Sequence, residues 1–103
     1  MIKVKVGLAA TMRRGAASAT STLRVLANEH RLLLLCELCA GERCVSELED
    51  RLRIRQPTLS QQLGVLRRRG LVHTRRSGRQ IYYSVADDKV HALLGALQSL
   101  YCP

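Results

Sequence analysis

The chain has 103 residues, 47% of them hydrophobic and 24% charged, which is the size and composition of one folded domain and not of a disordered segment. Its longest strongly apolar run, residues 32–36, is far too short to cross a bilayer, and Arg13 and Arg14 interrupt any signal-peptide core. We therefore expect a cytoplasmic protein without a membrane partner. Because the core is small, we also expect burial to be shared with a second copy.

The formal net charge of +9 is concentrated in residues 51–79. That segment contains nine arginines and neither Asp nor Glu, whereas the remainder of the chain has eight basic and eight acidic residues. A block of one sign in a segment that also has folded patterning indicates a polyanionic partner. A membrane surface is the main alternative, but the segment is not one amphipathic helix with aromatic residues on an apolar face. With three tyrosines and no Trp or Phe to stack on bases, duplex DNA is favoured over single strands.

The first part of the chain combines an irregular start with a predicted helix. Residues 1–7 are expected to be disordered or left from an expression vector, and residues 8–103 to form a single domain. Small and apolar residues on one side predict a first helix over residues 8–20. Ser21 or Thr22 is suited to cap the helix that follows, because a hydroxyl accepts from a free backbone amide.

Two further helices are predicted before the middle of the chain. Apolar residues continue at helical spacing to Cys39, with a break expected at Asn28. Ser46 and Glu49 have the spacing of a capping box, in which a hydroxyl accepts from a free amide and a carboxylate reaches back. They predict a short helix that ends near Leu52.

The pattern then changes from helix to strand. A helix is predicted over residues 57–69, since proline suits a first helical position. Residues 71–75 and 80–85 are typical of strands, and Ser77-Gly78 between them is a hairpin turn signal. The order predicts a mainly α fold with a small β-hairpin: a winged helix-turn-helix with four helices before the wing and one after it.

The last helix has the most continuous apolar stripe in the sequence. Asp87 or Asp88 is expected to cap it. The stripe consists of Val90, Leu93, Leu94, Leu97, Leu100 and Tyr101. Because it is too apolar for so small a domain to bury alone, we expect a homodimer formed through the first and last helices. Such a dimer would read two half-sites of an imperfect palindrome in double-stranded operator DNA.

The helix over residues 57–69 is the predicted reading element, since the second helix of this motif lies in the major groove. Gln pairs with adenine, and Ser and Thr donate or accept at several base edges. The predicted base-reading residues are Gln56, Thr58, Ser60, Gln61 and Gln62. For any single one of them, the alternative is an ordinary solvent-compatible helix surface.

The wing supplies the predicted phosphate contacts. Arg75, Arg76 and Arg79 flank its tip, with Gln80 beside them, where a hairpin can reach the DNA backbone or the minor groove. The arginines at residues 67–69 lie instead at a helix C-terminus, where the helix dipole favours cations with or without DNA. The wing arginines are therefore the first candidates.

Four segments occur in an order that is typical of one protein family. They are residues 26–32 (LANEHRL), 45–48 (VSEL), 56–63 (QPTLSQQL) and 70–72 (GLV). Together they resemble the ArsR/SmtB family of bacterial transcriptional repressors, in which many members have His where Gln62 stands here. The resemblance implies a homodimeric winged-helix repressor that leaves its operator when an inducer binds or modifies it.

The metal sites of that family are not matched in this sequence. Members that sense metals through the third helix carry Cys-x-Cys at its start, where this chain has Cys44-Val45-Ser46. Members that sense zinc through the last helix carry Asp-x-His and a later His pair, where this chain has only His91. We therefore expect no metal and no other cofactor. Scattered histidines without a nucleophile–base pair also predict that the chain is not an enzyme.

Cys36 and Cys102, together with the reading-helix segment, resemble the persulfide- and sulfide-responsive BigR/SqrR subgroup of the family. The resemblance implies that low-molecular-weight persulfides convert this dithiol into a disulfide or a sulfur-bridged link, which releases the operator and derepresses sulfide-detoxification genes. From the residues alone, Cys36 is equally well a plain buried thiol, and Cys39 and Cys44 are bystanders. A metal-responsive repressor with thiolate ligands and a constitutive DNA-binding protein stay open as alternatives.

Overall fold

The computed structural model describes residues 4–103, within which six helices and a three-stranded sheet are formed. In chain order the elements are α1 (Leu8–Met12), α2 (Ala16–Leu26), α3 (Glu29–Cys39), β1 (Arg43–Cys44), α4 (Val45–Leu52), α5 (Thr58–Arg68), β2 (Val72–Ser77), β3 (Gln80–Val85) and α6 (Asp88–Tyr101). Helices α4 and α5 form the helix-turn-helix, and β2 and β3 form the wing. Within residues 4–103, no helix has the length and apolar character needed to cross a bilayer.

The start of the chain is only partly covered. The predicted disordered or vector-derived start, residues 1–7, includes residues 1–3, which lie outside the described part of the chain. Residues 4–7 form neither helix nor strand, and Gly7 has a left-handed φ of 82° immediately before the first helix. Helix α1 therefore begins at Leu8, the residue predicted for it.

The helix predicted over residues 8–20 is in fact two helices. A turn at residues 13–15 separates α1 from α2, and α2 continues through Ser21 and Thr22. The prediction that one of these two residues caps a new helix was wrong, because the Thr22 hydroxyl donates to the Ser18 carbonyl (3.2 Å) inside the helix. Helix α1 contributes no buried residue to the core.

The break before α3 lies where the sequence predicted it. Asn28 is the N-cap of α3, and its side chain accepts from the Arg31 backbone amide (3.0 Å). One side of α3 is fully buried through Leu34, Leu35 and Leu38, and the helix packs against α5 and β3. Each buried leucine stabilises the fold by about 1.5–3 kcal/mol, so α3 is the central element of the core.

The cap of α4 differs from the predicted pair. The helix begins at Val45, and Glu47 reaches back to accept from the Cys44 backbone amide (2.9 Å). The prediction of Ser46 and Glu49 was wrong because Cys44 is held extended in strand β1, which starts the helix two residues earlier. Cysteine thus occupies the cap position that the sequence assigned to serine.

The sheet is antiparallel with the strand order β1-β3-β2. The predicted wing is confirmed with its turn moved by one residue: Ser77 pairs with Gln80, so the turn is Gly78-Arg79 instead of Ser77-Gly78. Gly78 has a φ of 61°, which glycine adopts without steric cost in a two-residue turn. The short strand β1 was not predicted, and it attaches the end of α3 to the wing through β3.

Helix α6 begins as predicted. The Asp87 side chain accepts from the Lys89 backbone amide (2.9 Å) and caps the first turn. The apolar stripe then divides, since Val90 and Leu94 are buried in the core while Tyr101 is 80% exposed. The far end of the stripe is therefore available for a second copy, and the homodimer stays a prediction.

Candidate DNA interface and thiol cavity

The solvent-facing side of α5 and the turn before it carry the predicted base-reading residues. Three are exposed, namely Gln56, Ser60 and Gln61, and two are half-buried, namely Thr58 and Gln62. The opposite side of the helix is fully buried and consists of Leu59, Leu63 and Leu66. The Ser60 hydroxyl donates to Gln56 Oε1, one turn away. The helix therefore presents a row of polar groups to solvent on a rigid apolar base.

Gln62 differs from its neighbours because it is already engaged inside the protein. Its Oε1 accepts from Arg31 Nη1 (3.0 Å), and Arg31 also donates to the carbonyls of Val25 (2.6 Å) and Arg24 (3.3 Å). This network joins α5 to the junction of α2 and α3. The hydrogen bond ties Gln62 to this junction, a contact that sequence reasoning missed because Arg31 lies far away in the chain.

The wing arginines are held differently from one another. Arg75 forms a two-pronged ion pair with Glu42 (3.1 and 2.9 Å), and its guanidinium lies 5.0 Å from the centre of the Tyr82 ring. The hydrogen bond from Arg75 lowers the pKa of Glu42. Arg76 donates to the Gly78 carbonyl (3.4 Å) in the turn.

The other predicted wing residues are open to solvent. Arg79 is exposed in the turn itself, and Gln80 is exposed at the first position of β3. Of the three wing arginines, Arg79 makes no hydrogen bond or ion pair within residues 4–103. It is thus the wing cation most available to a phosphate.

Two of the nine arginines in residues 51–79 pair with carboxylates that come from outside this segment. One is Arg75, and the other is Arg51, whose hydrogen bond with Glu37 raises the pKa of Arg51. The remaining seven, which we call the arginine region, are all exposed and have no ion-pair partner within residues 4–103: Arg53, Arg55, Arg67, Arg68, Arg69, Arg76 and Arg79. The segment around α5 and the wing therefore keeps a large positive charge.

A second feature is a cavity of about 610 Å³ between α3 and α6, which we call the thiol cavity. Its apolar wall consists of Leu32, Leu33, Leu94 and Leu97, with Gly95 beside them. Its polar wall consists of His91, Gln98 and Tyr101. Three of the four cysteines also line it: Cys36, Cys39 and Cys102. Both predicted redox residues therefore open onto one space, and all four cysteines of the chain are free thiols.

Two thiols in this cavity are partly desolvated, although Cys36 is an exposed residue and Cys39 is half-buried. Burial raises the pKa of Cys36, and the nearby Cys102 raises that pKa further. Burial also raises the pKa of Cys39, with a smaller contribution from Cys36. Both shifts lower the fraction of thiolate, which is the nucleophilic form, at neutral pH.

Cys44 lies apart from the cavity and is buried at the start of α4, with its Sγ 3.3 Å from the Ser46 hydroxyl. Cys39, which was expected to be a bystander, lines the cavity and is half-buried. Within residues 4–103, no three of the His, Cys, Asp and Glu side chains come together as a metal-binding group. Three thiols therefore line one cavity between α3 and α6.

A helix-turn-helix with a cationic wing and an exposed polar reading helix defines a winged-helix DNA-binding protein. Residues 28–74 match the family described as "Bacterial regulatory protein, arsR family". The chain is also 50% identical to the biofilm growth-associated repressor of Agrobacterium fabrum over 91 residues, which cover 88% of this chain and 78% of that protein. The chain therefore belongs to the arsR family of bacterial regulatory proteins.

Other relatives agree with this assignment. The transcriptional activator HlyU of Vibrio cholerae is 42% identical over 91 residues, which cover 88% of this chain and 84% of that protein. The crystal structure of the transcriptional repressor BigR from Xylella fastidiosa superposes with a TM-score of 0.88 at 44% identity, covering 90% of this chain and 95% of that one. These likenesses confirm the winged-helix fold, the family and the expectation of a transcriptional regulator and not an enzyme.

Proposed function

We propose that the chain is an operator-binding repressor whose DNA affinity is set by the oxidation state of Cys36 and Cys102. The observation that carries the proposal is that both line the thiol cavity, although one lies in the second half of α3 and the other directly after α6. A cross-link between them ties α3 to α6. Because α3 also packs against α5, a displacement of α3 changes the position of the reading helix.

The inducer in this proposal is a low-molecular-weight persulfide, R–S–SH. One cysteine thiolate attacks the terminal sulfur, so that the cysteine becomes a persulfide and R–SH leaves. The second cysteine then attacks the sulfur of the first, forming the Cys36–Cys102 disulfide and releasing hydrogen sulfide. In sum, two thiols are oxidised and R–S–SH is reduced to R–SH and H₂S. The names of two relatives, the biofilm growth-associated repressor and BigR, support the repressor role.

The DNA-binding unit in this proposal is a homodimer. Leu8 and Met12 of α1 are each 43% exposed, and Tyr101 at the end of α6 is 80% exposed, so both helices offer apolar surface to a second copy. Two copies related by a two-fold axis place two α5 helices on one face of DNA, as an imperfect palindrome requires. Sedimentation equilibrium of the reduced protein is expected to give the dimer mass, and a monomer at micromolar concentration would contradict it.

The coupling that the switch needs is modest. A cross-link that favours the DNA-incompetent arrangement by about 1–3 kcal/mol lowers operator affinity by roughly 5- to 150-fold. None of the residues proposed to contact DNA lines the thiol cavity. The proposed switch therefore acts by moving the reading helices and not by blocking them.

A binding titration tests the proposal. The reduced protein first selects a duplex from a random library, and its affinity for that duplex is then measured before and after complete reaction with glutathione persulfide, with intact mass recorded in parallel. We expect affinity to fall by at least about fivefold together with formation of an intramolecular cross-link. Cys36→Ser and Cys102→Ser abolish both changes, whereas Cys39→Ser, a substitution in the same cavity, retains them.

Two outcomes would contradict this proposal. Equal affinity before and after a verified Cys36–Cys102 cross-link indicates a constitutive DNA-binding protein. Release of the duplex by about one zinc ion per chain, abolished by Cys44→Ser, indicates the metal-responsive alternative.

A further inference from the structure

The thiol cavity has no charged wall. Of the described residues that line it, none is Lys, Arg, Asp or Glu, and leucines form its largest part. Its polar groups come only from His91, Gln98, Tyr101 and the thiols. Its volume of about 610 Å³ is typical of a site for a small organic molecule and is far larger than an attacking sulfur requires.

We propose that this cavity binds the organic group of the persulfide, and that the preferred inducer is an uncharged persulfide with a hydrophobic group. The inference rests on the proposed function and adds the chemical class of the substrate. Glutathione persulfide carries two carboxylates and an ammonium group. Burying them against leucine side chains without a Lys or Arg partner is costly, so this persulfide reacts through the cavity mouth without being bound inside.

The chemistry at the sulfur atoms is the same for both classes of persulfide. The Cys36 thiol loses its proton to solvent, and its sulfur attacks the terminal sulfur of R–S–SH. The R–S⁻ group leaves, takes up a proton and departs as R–SH. When R is hydrophobic, R–S–SH binds with its carbon group in the cavity before the attack, which holds its terminal sulfur against Cys36. The Cys102 thiol then displaces hydrogen sulfide from the Cys36 persulfide and closes the disulfide.

One face of α6 provides a way to change the cavity without changing the core. His91, Gly95, Gln98 and Cys102 are spaced at i, i+4, i+7 and i+11, so they share one helix face, and all four line the cavity. A Cβ placed on Gly95 meets no heavy atom within 4 Å. A leucine at this position therefore extends into the cavity, whereas an alanine leaves most of it open.

The experiment measures rates under excess persulfide. Time-resolved intact mass follows sulfur transfer from benzyl hydropersulfide and from glutathione persulfide, and each rate is divided by that of free cysteine with the same reagent. We expect the normalised rate to favour the benzyl reagent by about tenfold or more, because tenfold corresponds to only about 1.4 kcal/mol of the cost of burying charge. We also expect the rate with benzyl hydropersulfide to saturate as the concentration of that reagent rises, which indicates that a complex forms before the reaction.

Two variants sharpen the result. Gly95→Leu is expected to reduce the normalised rate with the benzyl reagent by about fivefold or more while the rate with glutathione persulfide is unchanged, and Gly95→Ala serves as its control. Gln98→Lys places a cation on the same face and is expected to speed the reaction with glutathione persulfide several-fold. Affinity of the reduced variants for the selected duplex verifies that each one is folded.

The outcomes separate this inference from the function on which it rests. Equal normalised rates for the two reagents, with the Cys36–Cys102 cross-link formed, overturn the substrate preference and leave the switch intact. Equal slowing of both reagents by Gly95→Leu overturns it as well. If neither reagent forms the cross-link in the unmodified protein, the proposed function fails, and the inference fails with it.

Discussion

The arginine region and the thiol cavity are assembled in opposite ways. All seven residues of the arginine region come from one continuous segment, and each is exposed to solvent. The thiol cavity joins α3 to α6, and its walls are mainly apolar. Exposed charges act almost independently, whereas a cross-link needs both of its sulfur atoms at once. Loss of one arginine is thus expected to weaken binding without abolishing it, and loss of one cysteine to abolish the response to the inducer.

Helix α3 is the physical link between the two regions. Cys36 and Leu33 lie on the side that lines the cavity, while Leu34 and Leu35 are completely buried on the other side, which packs against α5. In the proposed switch, α3 transmits a displacement from its cavity side to α5, against which its buried side packs. Any effect of the thiol cavity on α5 therefore depends on the packing of α3.

Leu35→Ala is expected to cause the largest loss of stability. Leu35 has no exposed surface, so truncation removes buried methyl groups and leaves a cavity in the core, which costs about 2–5 kcal/mol. Chemical denaturation of the reduced protein, monitored by circular dichroism, measures the free energy of unfolding. Leu33→Ala is the matched control, because Leu33 is 40% exposed and its loss should cost less than about 1.5 kcal/mol. Equal losses for the two variants would show that α3 is not packed as described.

Arg79→Ala tests the arginine region. Because each copy of the proposed homodimer loses one phosphate contact, affinity is expected to fall about sixtyfold at roughly 0.1 M salt for all duplexes alike, and the salt slope to fall by about two. Arg75→Ala is the matched control on the same wing. Because Arg75 is already paired with Glu42, Arg75→Ala should reduce DNA affinity less than Arg79→Ala does. Fluorescence anisotropy over a salt series gives both numbers, and a change in sequence preference alone would contradict the phosphate role of Arg79.

The sequence was sufficient for the features that depend on neighbouring residues. The Asp87 cap, the break at Asn28 and the wing are each determined by a few consecutive residues, and all three are found in the structure. The concentration of positive charge in residues 51–79 also follows directly from the number of arginines in that segment. Local chemistry predicts such features because hydrogen bonds over two to four residues decide them.

The errors arise where a distant element intervenes. Cys44 caps α4 because β1 pairs with β3, and this pairing decides the cap before Ser46 can act. Glu42 removes Arg75 from the set of unpaired cations across a separation of 33 residues. The packing of α3 on α6 places Cys36 and Cys102 in one cavity. Since this packing joins distant parts of the chain, the sequence indicated the pair only through a family resemblance.

The contact between Arg31 and Gln62 is expected to give a smaller effect, on the stability and position of α5. Their hydrogen bond is part-buried and involves a charged donor, so we expect a coupling free energy of about 1 kcal/mol in a double-mutant cycle of Arg31→Ala and Gln62→Ala. Unfolding free energies of the four proteins supply the cycle. Since the same bond positions α5, Gln62→Ala should weaken binding to all duplexes, and not only to those that differ at one base pair. Additive losses, with a coupling near zero, would mean that Gln62 is free to read bases.

The smallest effect concerns the ionisation of the Cys36 thiol, which is partly desolvated at the cavity although the residue is exposed. Because burial, with a lesser contribution from Cys102, raises the pKa of Cys36, the folded protein holds less thiolate than the unfolded chain at every pH up to the ordinary thiol range. The rate of alkylation by iodoacetamide, measured for Cys36 by peptide mapping, should therefore keep rising with pH after the rate for the urea-unfolded chain has levelled off. At high pH the thiol is fully ionised in both states, so the ratio of the folded to the unfolded rate measures only the access of iodoacetamide to the sulfur. The position of the pH profile then measures the pKa of Cys36. Cys102→Ser should move that profile towards lower pH, and superimposable profiles for the folded and unfolded chains would show that Cys36 is as well solvated as a free thiol.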